Sequence, residues 1–459
     1  MNVRTDARPG AGHQTVTSCD PSHPEIADAT APTDASTHAP LVQLAWSDEL
    51  LGYDFGWGHP MAPYRLASTL DLARGIGLLD SPDLQVVPAP VASDAVIARI
   101  HTRDFIAAVH RAMPDPTYGL GTEDCPVFPH MHDAAARQVG ASVQVASAVA
   151  SGHALHGMNI AGGMHHAQPG HASGFCIYND AAVAVAHLLD SLDVSGRQPR
   201  IAYIDIDAHH GDGVETAFWD DPRVMTISVH QDGDTLFPGS GPATAIGGPH
   251  APGSAVNIAL PPRTTSHDWL RAFGSIVPAV VGAFAPDVIV SQHGCDSHGR
   301  DPLSDLRVSV YAQNAVAAEI HRLAHQYCGG RWVALGGGGY ATYDVVPLVW
   351  TSLLAVALHR PLDLARDLPV AWVGAVEEVT GMDVATLLEE PTPWEPESVQ
   401  QTRVVHVVGP SEGASAWPPT APTSQVPAGL TRAEKVSAAV TDAIADTQGN
   451  IFPLLHLVS

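Results

Sequence analysis

Lysine is almost missing from this chain: Lys435 is the only one among 459 residues, set against 48 aspartates and glutamates, and the formal net charge is −26. With only 22 basic residues against those 48, the chain should repel phosphates, so neither nucleic acid nor an anionic membrane surface is expected as a partner. The same balance suits a cationic ligand such as a lysine-rich tail or a polyamine, and it also serves plain solubility. Cysteine is scarce too. Cys19, Cys125, Cys176, Cys295 and Cys328 are odd in number and scattered, with no C-x-x-C pair. That excludes a disulfide framework and fits a reducing compartment. No apolar run reaches the roughly 18 residues a membrane-spanning helix needs. Residues 1–30 hold no apolar h-region and no small-residue cleavage site. A secretory leader is therefore not expected, and the protein is read as cytoplasmic.

Hydrophobic residues make up 45% of the chain, enough for one large core with appendages. Residues 1–38 are rich in Ala, Pro, Thr, Ser and Asp without periodicity and are expected to be disordered. From residue 39 to about 385, short apolar runs alternate with longer amphipathic stretches. "NIAGG", "IAYIDI", "VMTISV", "DVIVSQ" and "RWVALGG" read as buried strands, each followed by Gly, His or Asp. Residues 133–152, 180–192, 267–284 and 309–327 read as helices. Such alternation predicts an α/β fold with a mainly parallel sheet covered on both faces, its functional residues beyond the carboxyl ends of the strands. Residues 386–429 read as a Pro-rich linker. Residues 430–459 read as a helix, capped by Thr431 with Glu434 as its capping-box partner, and an apolar tail that docks on the main domain.

The densest chemistry is "YIDIDAHHGDG", residues 203–213. In an extended segment Asp205, Asp207 and His209 share one face, while Ile206 and Ala208 pack behind. Surface turns also collect Asp and His, so the pattern alone is ambiguous. Asp207 and His209 offer an oxygen and a nitrogen suited to zinc or a similar divalent ion, and iron could replace zinc in such a set. A catalytic metal takes three protein ligands, and Asp296 in "SQHGCDSHGRDPL" is the leading third candidate, with His293 and His298 as rivals. Adjacent His165 and His166, in "GGMHHAQPGHASGFCIYND", can face one cavity from a turn and serve as general base and proton donor. Asp205 and Asp212 are available to orient them. "ALGGGGY" lets backbone approach a ligand closely and presents Tyr340 to a carbonyl that becomes an oxyanion. Alternation turns His210 away from the metal face, and it is given a structural role.

With those motifs in order, the chain resembles the histone deacetylase superfamily, most closely its bacterial acetoin-utilisation branch. The matching stretches run from about residue 42 to 360 and include "YDFGWGHPMAPYR", "HTRDFI", "GTEDCPVF", "FPGSG" and "QHGCDSHGRDPL" besides those above. The resemblance implies a three-layer arginase/deacetylase-like fold around an eight-stranded sheet. It implies one zinc on Asp207, His209 and Asp296, with His165 and His166 backed by Asp205 and Asp212 respectively. Tyr340 would bind the carbonyl. Gly174, Phe175, Phe237 and Leu303 would line an acyl-lysine tunnel, and Asp124 would hold substrate backbone at its rim. Arg65, Gly337 and Gly338 would handle acetate. Structural potassium would be held by Asp205, Asp207, His209, Ser228 and Val229, and by carbonyls of Phe218, Asp221 and Val224. "SHGRDPL" lacks the basic loop residues with which nuclear members hold corepressor ligands.

The resulting expectation is a zinc-dependent deacetylase acting on N6-acetyl-lysine in a protein, with acetyl-CoA synthetase as the kind of metabolic enzyme implied. Acetylpolyamine deacetylation is the alternative. A binuclear ureohydrolase would want a carboxylate two residues past His209, where Gly211 stands. A non-catalytic acyl-lysine binder would not need the full set of ligands, histidines and tyrosine. Oligomeric state is left open.

Overall fold

A computed structural model describes residues 39–193, 197–360, 362–364, 367–381, 383–387 and 431–458. The expected disordered head, residues 1–38, and nearly all of the Pro-rich linker lie outside the described residues. Eight strands form one sheet: β1 Val42–Ala45, β2 Leu84–Val87, β3 His156–Asn159, β4 Ile201–Asp205, β5 Val224–Gln231, β6 Ala255–Leu260, β7 Val288–Gln292 and β8 Trp332–Leu335. Their order is β2-β1-β3-β8-β7-β4-β5-β6, and every pairing is parallel. Parallel strands need a crossover between neighbours, so helices cover the sheet and bury it. Met131–Ser151 packs on Asp180–Leu192, while Tyr64–Gly75, Val345–Ala357, Val310–Cys328 and Ser266–Phe284 each pack on the next. The result is the expected arginase/deacetylase-like α/β arrangement. Trp269, Trp332 and Trp350 are fully buried in it, each contributing on the order of 2–3 kcal/mol of hydrophobic stabilisation. Cys125, Cys176, Cys295 and Cys328 are buried free thiols. Among the described residues no helix is long and apolar enough to cross a membrane.

Two strands escape the apolar-run pattern. β2 is an edge strand whose Gln85 and Val86 are exposed, and β6 carries a buried Asn257 whose amide donates to Glu215 and the Ala245 carbonyl. The strand expected at "NIAGG" begins earlier and stops at Asn159, because the Asn159 side chain accepts from Ala161 N at 3.1 Å and turns the chain out of the sheet. This shift places residues 160–179 in a long loop at the carboxyl end of β3. Strands β3, β8, β7 and β4 are neighbours, so their four carboxyl-end loops surround one point.

The helix Arg432–Ile451 begins with a complete capping box between Thr431 and Glu434. Val440, Ile444 and Ile451 are buried on it. Arg271 donates to Thr441 Oγ1 at 2.9 Å and to the Ser437 carbonyl at 3.0 Å, and Thr447 donates to the Asn257 carbonyl at 2.8 Å. Those contacts tie it to β6 and to the helix Ser266–Phe284.

Candidate metal and catalytic site

β4 ends at Asp205, and Ile206 N still bonds the Gln292 carbonyl of β7 at 3.1 Å. Asp207–His209 then bends, so strand alternation does not by itself bring the candidate ligands together. Backbone amides do so. Ala208 N donates to Asp296 Oδ1 at 2.7 Å and His209 N to Asp207 Oδ1 at 3.0 Å. Gln292 Nε2 and Gly338 N both donate to Asp207 Oδ2 at 2.8 Å. His209 Nδ1 lies 3.0 Å from Asp207 Oδ1 and 3.0 Å from Asp296 Oδ2. One nitrogen and two carboxylate oxygens thus gather within 4.8 Å of one another, all on buried residues. His293 and His298, the rival third ligands, are not in this group. His293 Nε2 instead pairs with Ser291 Oγ at 2.7 Å.

The electrostatics fit a cation. Burial pushes the Asp296 carboxyl up to about 7, and the Asp207 charge adds to the rise. Burial also opposes ionisation of Asp207, but His165 and His209 outweigh it and hold that carboxyl well below the usual range. A divalent ion bound by two carboxylates and an imidazole would relieve this crowding of negative charge, and the donor set suits zinc or iron.

The paired histidines sit beside it, ring centroids 4.0 Å apart. His165 Nδ1 meets Asp205 Oδ2 at 2.8 Å, and His166 Nδ1 meets Asp212 Oδ1 at 2.7 Å. Each carboxylate is itself held: Tyr203 OH donates to Asp205 and Gln168 Nε2 to Asp212, both at 2.7 Å. Burial disfavours charge on both rings. For His165 the nearby Asp205 and Asp207 overcome it and raise the pKa to about 9; for His166 burial and the His165 charge prevail and lower it to about 4. His166 is therefore neutral near pH 7, with Nδ1–H donating to the Asp212 carboxylate and Nε2 as the acceptor nitrogen.

The remaining residues close the site. Tyr340 N donates to Asp301 Oδ2 at 2.7 Å, and Leu303 N donates to Asp301 Oδ1 at 3.0 Å. Burial and the charges of Asp296 and Asp207 keep the Tyr340 hydroxyl protonated. Gly338 has to be glycine, since a Cβ there would collide with the Asp296 carboxylate. Arg65 is buried, donates to the Gly337 carbonyl at 2.7 Å and lies over Trp350. Phe237, about half exposed, lies edge-on to His166 with centroids 5.0 Å apart, and Phe175 lies edge-on to Tyr340 at 5.7 Å. Phe175 holds a left-handed φ of 65°. Tyr53 OH fixes it by donating to the Phe175 carbonyl at 2.7 Å and accepting from Ile177 N at 3.0 Å. Asp124 Oδ2 accepts from Gly174 N at 2.7 Å.

The expected monovalent-cation residues fall in two places. Asp205 and Ser228 are register partners on β4 and β5, with Val229 next in β5. The Phe218 and Asp221 carbonyls accept from Asp221 N and Val224 N in successive turns, at 3.0 and 3.1 Å.

Several supports went unread in the sequence. Asp180 is fully buried and accepts from Gly163 N, Met164 N and Ser142 Oγ, just ahead of the paired histidines. Asn179 donates to the His165 and Ala167 carbonyls, and His101 Nε2 accepts from Asn179 N at 2.9 Å. Asp180 and Asn179 follow the apolar stretch "FCIY", so an acid at a buried helix start was the available signal.

A fold and a site of this composition define a class, and residues 59–357 match the histone deacetylase domain. The chain belongs to the histone deacetylase family. Its relatives narrow the class further. The acetoin utilization protein AcuC of Bacillus subtilis (strain 168) is 41% identical over 328 residues, covering 70% of this chain and 82% of the Bacillus protein. Proteins of the same name from Staphylococcus aureus (strain MSSA476) and Staphylococcus xylosus are 37% and 35% identical over 343 and 335 residues. They cover 73% and 72% of this chain and 86% and 85% of their own lengths.

Proposed function

We propose that the protein is a metal-dependent lysine deacetylase that hydrolyses N6-acetyl-lysine to lysine and acetate. The observation that carries this reading is the meeting of a two-oxygen, one-nitrogen donor set with two carboxylate-backed imidazoles and with Tyr340 close by. A divalent ion on Asp207, His209 and Asp296 would supply Lewis acidity toward an amide carbonyl and a water made acidic enough to attack it. His166 takes the proton of the attacking water at Nε2, while Asp212 steadies the imidazolium that forms. Tyr340 donates its hydroxyl to the carbonyl oxygen as negative charge builds there. The histidine pair then returns a proton to the leaving ε-amine.

Phe175 and Phe237 would flank the lysine stem, Gly174 would leave room for it, and Leu303 would complete the wall. Asp124 would hold substrate backbone. Arg65 with the Gly337 and Gly338 backbone would receive acetate. Potassium would serve the sets at Asp205, Asp207, His209, Ser228 and Val229, and at Phe218, Asp221 and Val224. Residues 39–385 would form the catalytic domain, and the protein would act in the cytoplasm. The relatives' name, acetoin utilization protein, supports a metabolic enzyme as substrate, and we assign acetyl-CoA synthetase in its acetylated form. The test compares acetate release from acetylated acetyl-CoA synthetase, an acetyl-lysine peptide and acetylputrescine. Turnover on the two lysine substrates supports the reading, and turnover confined to acetylputrescine replaces it with polyamine deacetylation.

A further inference from the structure

A second gathering of imidazoles lies at the opposite, amino-terminal ends of the strands. β3 starts at His156, whose register partners Val42 and Trp332 are likewise the first residues of β1 and β8. The catalytic loops leave from the other ends of these strands. His321 and His325 sit four residues apart on the helix Val310–Cys328, a spacing that puts both rings on one face. His359 follows the helix Val345–Ala357 and holds a left-handed φ of 54°. The four rings come from three separate parts of the chain, yet their nitrogens converge. His321 Nε2 lies 3.2 Å from His156 Nε2, 2.9 Å from His359 Nε2 and 3.0 Å from His325 Nε2.

Hydrogen bonding cannot account for this packing. A neutral imidazole nitrogen carries either one proton or one lone pair, so His321 Nε2 can satisfy one of its three neighbours. Extra protons are not a remedy. Burial lowers the pKa of all four, and neighbouring rings lower His156, His321 and His325 further. A cation at the centre would accept all four lone pairs. Metal–nitrogen bonds of 2.0–2.1 Å in a tetrahedron put the ligand nitrogens about 3.3 Å apart. A square plane would instead push one of the three neighbours to about 4 Å. The three spacings at His321 fit the tetrahedron, and all four ligand nitrogens lie within 4.8 Å of one another.

We propose that His156, His321, His325 and His359 form a closed, four-coordinate zinc site, separate from the catalytic one. With four protein ligands and no open position its role is structural. It ties the start of β3 to the helix Val310–Cys328 and to the end of Val345–Ala357. His156 and His321 are buried against Trp332, with ring centroids 5.7 and 5.5 Å from it, while exposed His359 provides the route of entry.

The test counts zinc per full-length chain after loading and desalting. Two per chain are expected for the parent, one for Asp296→Ala, and one for His325→Ala/His359→Ala, which should keep its acetate release. The histidine pair is chosen because these two rings are the less buried, so the variant should fold, with thermal melting as the control. Cobalt(II) loaded into Asp296→Ala should give tetrahedral d–d absorption that is lost when His325→Ala/His359→Ala is added. The proposal is overturned if the histidine variant holds as much zinc as the parent, or if the cobalt spectrum does not change. Should the catalytic assignment alone fail, parent and Asp296→Ala would hold one zinc each, and only the histidine variant would lose it.

Discussion

Replacing Asp180 should damage both stability and turnover, although Asp180 touches neither metal ligand nor substrate. Its carboxylate is fully buried and receives Gly163 N at 3.0 Å, Met164 N at 2.8 Å and Ser142 Oγ at 2.5 Å. Burial raises its pKa, and those donors pull it back. Asp180→Ala leaves two buried backbone amides without an acceptor, at roughly 1–3 kcal/mol each, since the Ser142 hydroxyl can turn elsewhere. The expected loss is about 2–6 kcal/mol, a large part of the roughly 5–15 kcal/mol that holds a domain folded. Asp180→Asn keeps one oxygen for both amides, because Gly163 N is shared between the two carboxylate oxygens. It should cost only about 1–2 kcal/mol, the scale of one weakened hydrogen bond. His165 follows Met164 directly, so freeing these amides also loosens the proposed catalytic pair. A misplacement of about 1 Å can cost on the order of 10² in rate, so Asp180→Ala should lower kcat by roughly 10–100-fold with KM little changed. Urea unfolding and acetate release measure the two effects. Stability within 1 kcal/mol of the parent together with unchanged kcat in Asp180→Ala would refute the reasoning.

Tyr340→Phe removes the hydroxyl donor and should lower kcat on the order of 10²–10³-fold while zinc content stays unchanged; parent-like turnover in a steady-state assay would remove Tyr340 from the mechanism. Gly338→Ala drives a methyl into Asp296 and should abolish zinc retention at the catalytic site, which metal analysis after desalting reads directly. His101 makes a pH prediction. Burial lowers its pKa from 6.5 to about 4, against the pull of its bonds to the Gln168 and Pro169 backbone. A folded-state pKa below the unfolded value means the unfolded chain binds the extra proton. The stabilisation is therefore complete above about pH 6.5 and is lost as pH falls toward 4. His101→Gln should lose about 2–3 kcal/mol less than the parent between pH 7.5 and 4.5. Equal losses in urea unfolding at the two pH values would contradict this.

The parts of the site that could be read in advance are those written locally. Asp207, His209 and Asp296 each stand just past an apolar run, whereas the paired histidines lie in the long loop after β3, which ends at Asn159. What could not be read depends on contacts far along the chain. Tyr53 fixes the Phe175 backbone 122 residues away, and Asp301 receives Tyr340 N across 39. β2 and β6 depart from the buried apolar run: β2 is partly exposed at the edge, and β6 buries an asparagine. The four-histidine cluster had only the His321–His325 spacing as a local trace, because His156 and His359 join it through the fold. Alternation along residues 205–209 picks out Asp207 and His209, which do gather with Asp296, although the chain bends there and backbone amides do the gathering.

The most direct measurement is acetate release from an acetyl-lysine peptide by the full chain, before chelation, after it, and after zinc is added back, with Asp296→Ala in parallel. Turnover should disappear with the metal and return on add-back, with no recovery in Asp296→Ala. Acetate release unaffected by chelation, or none from the zinc-loaded parent chain, would contradict it.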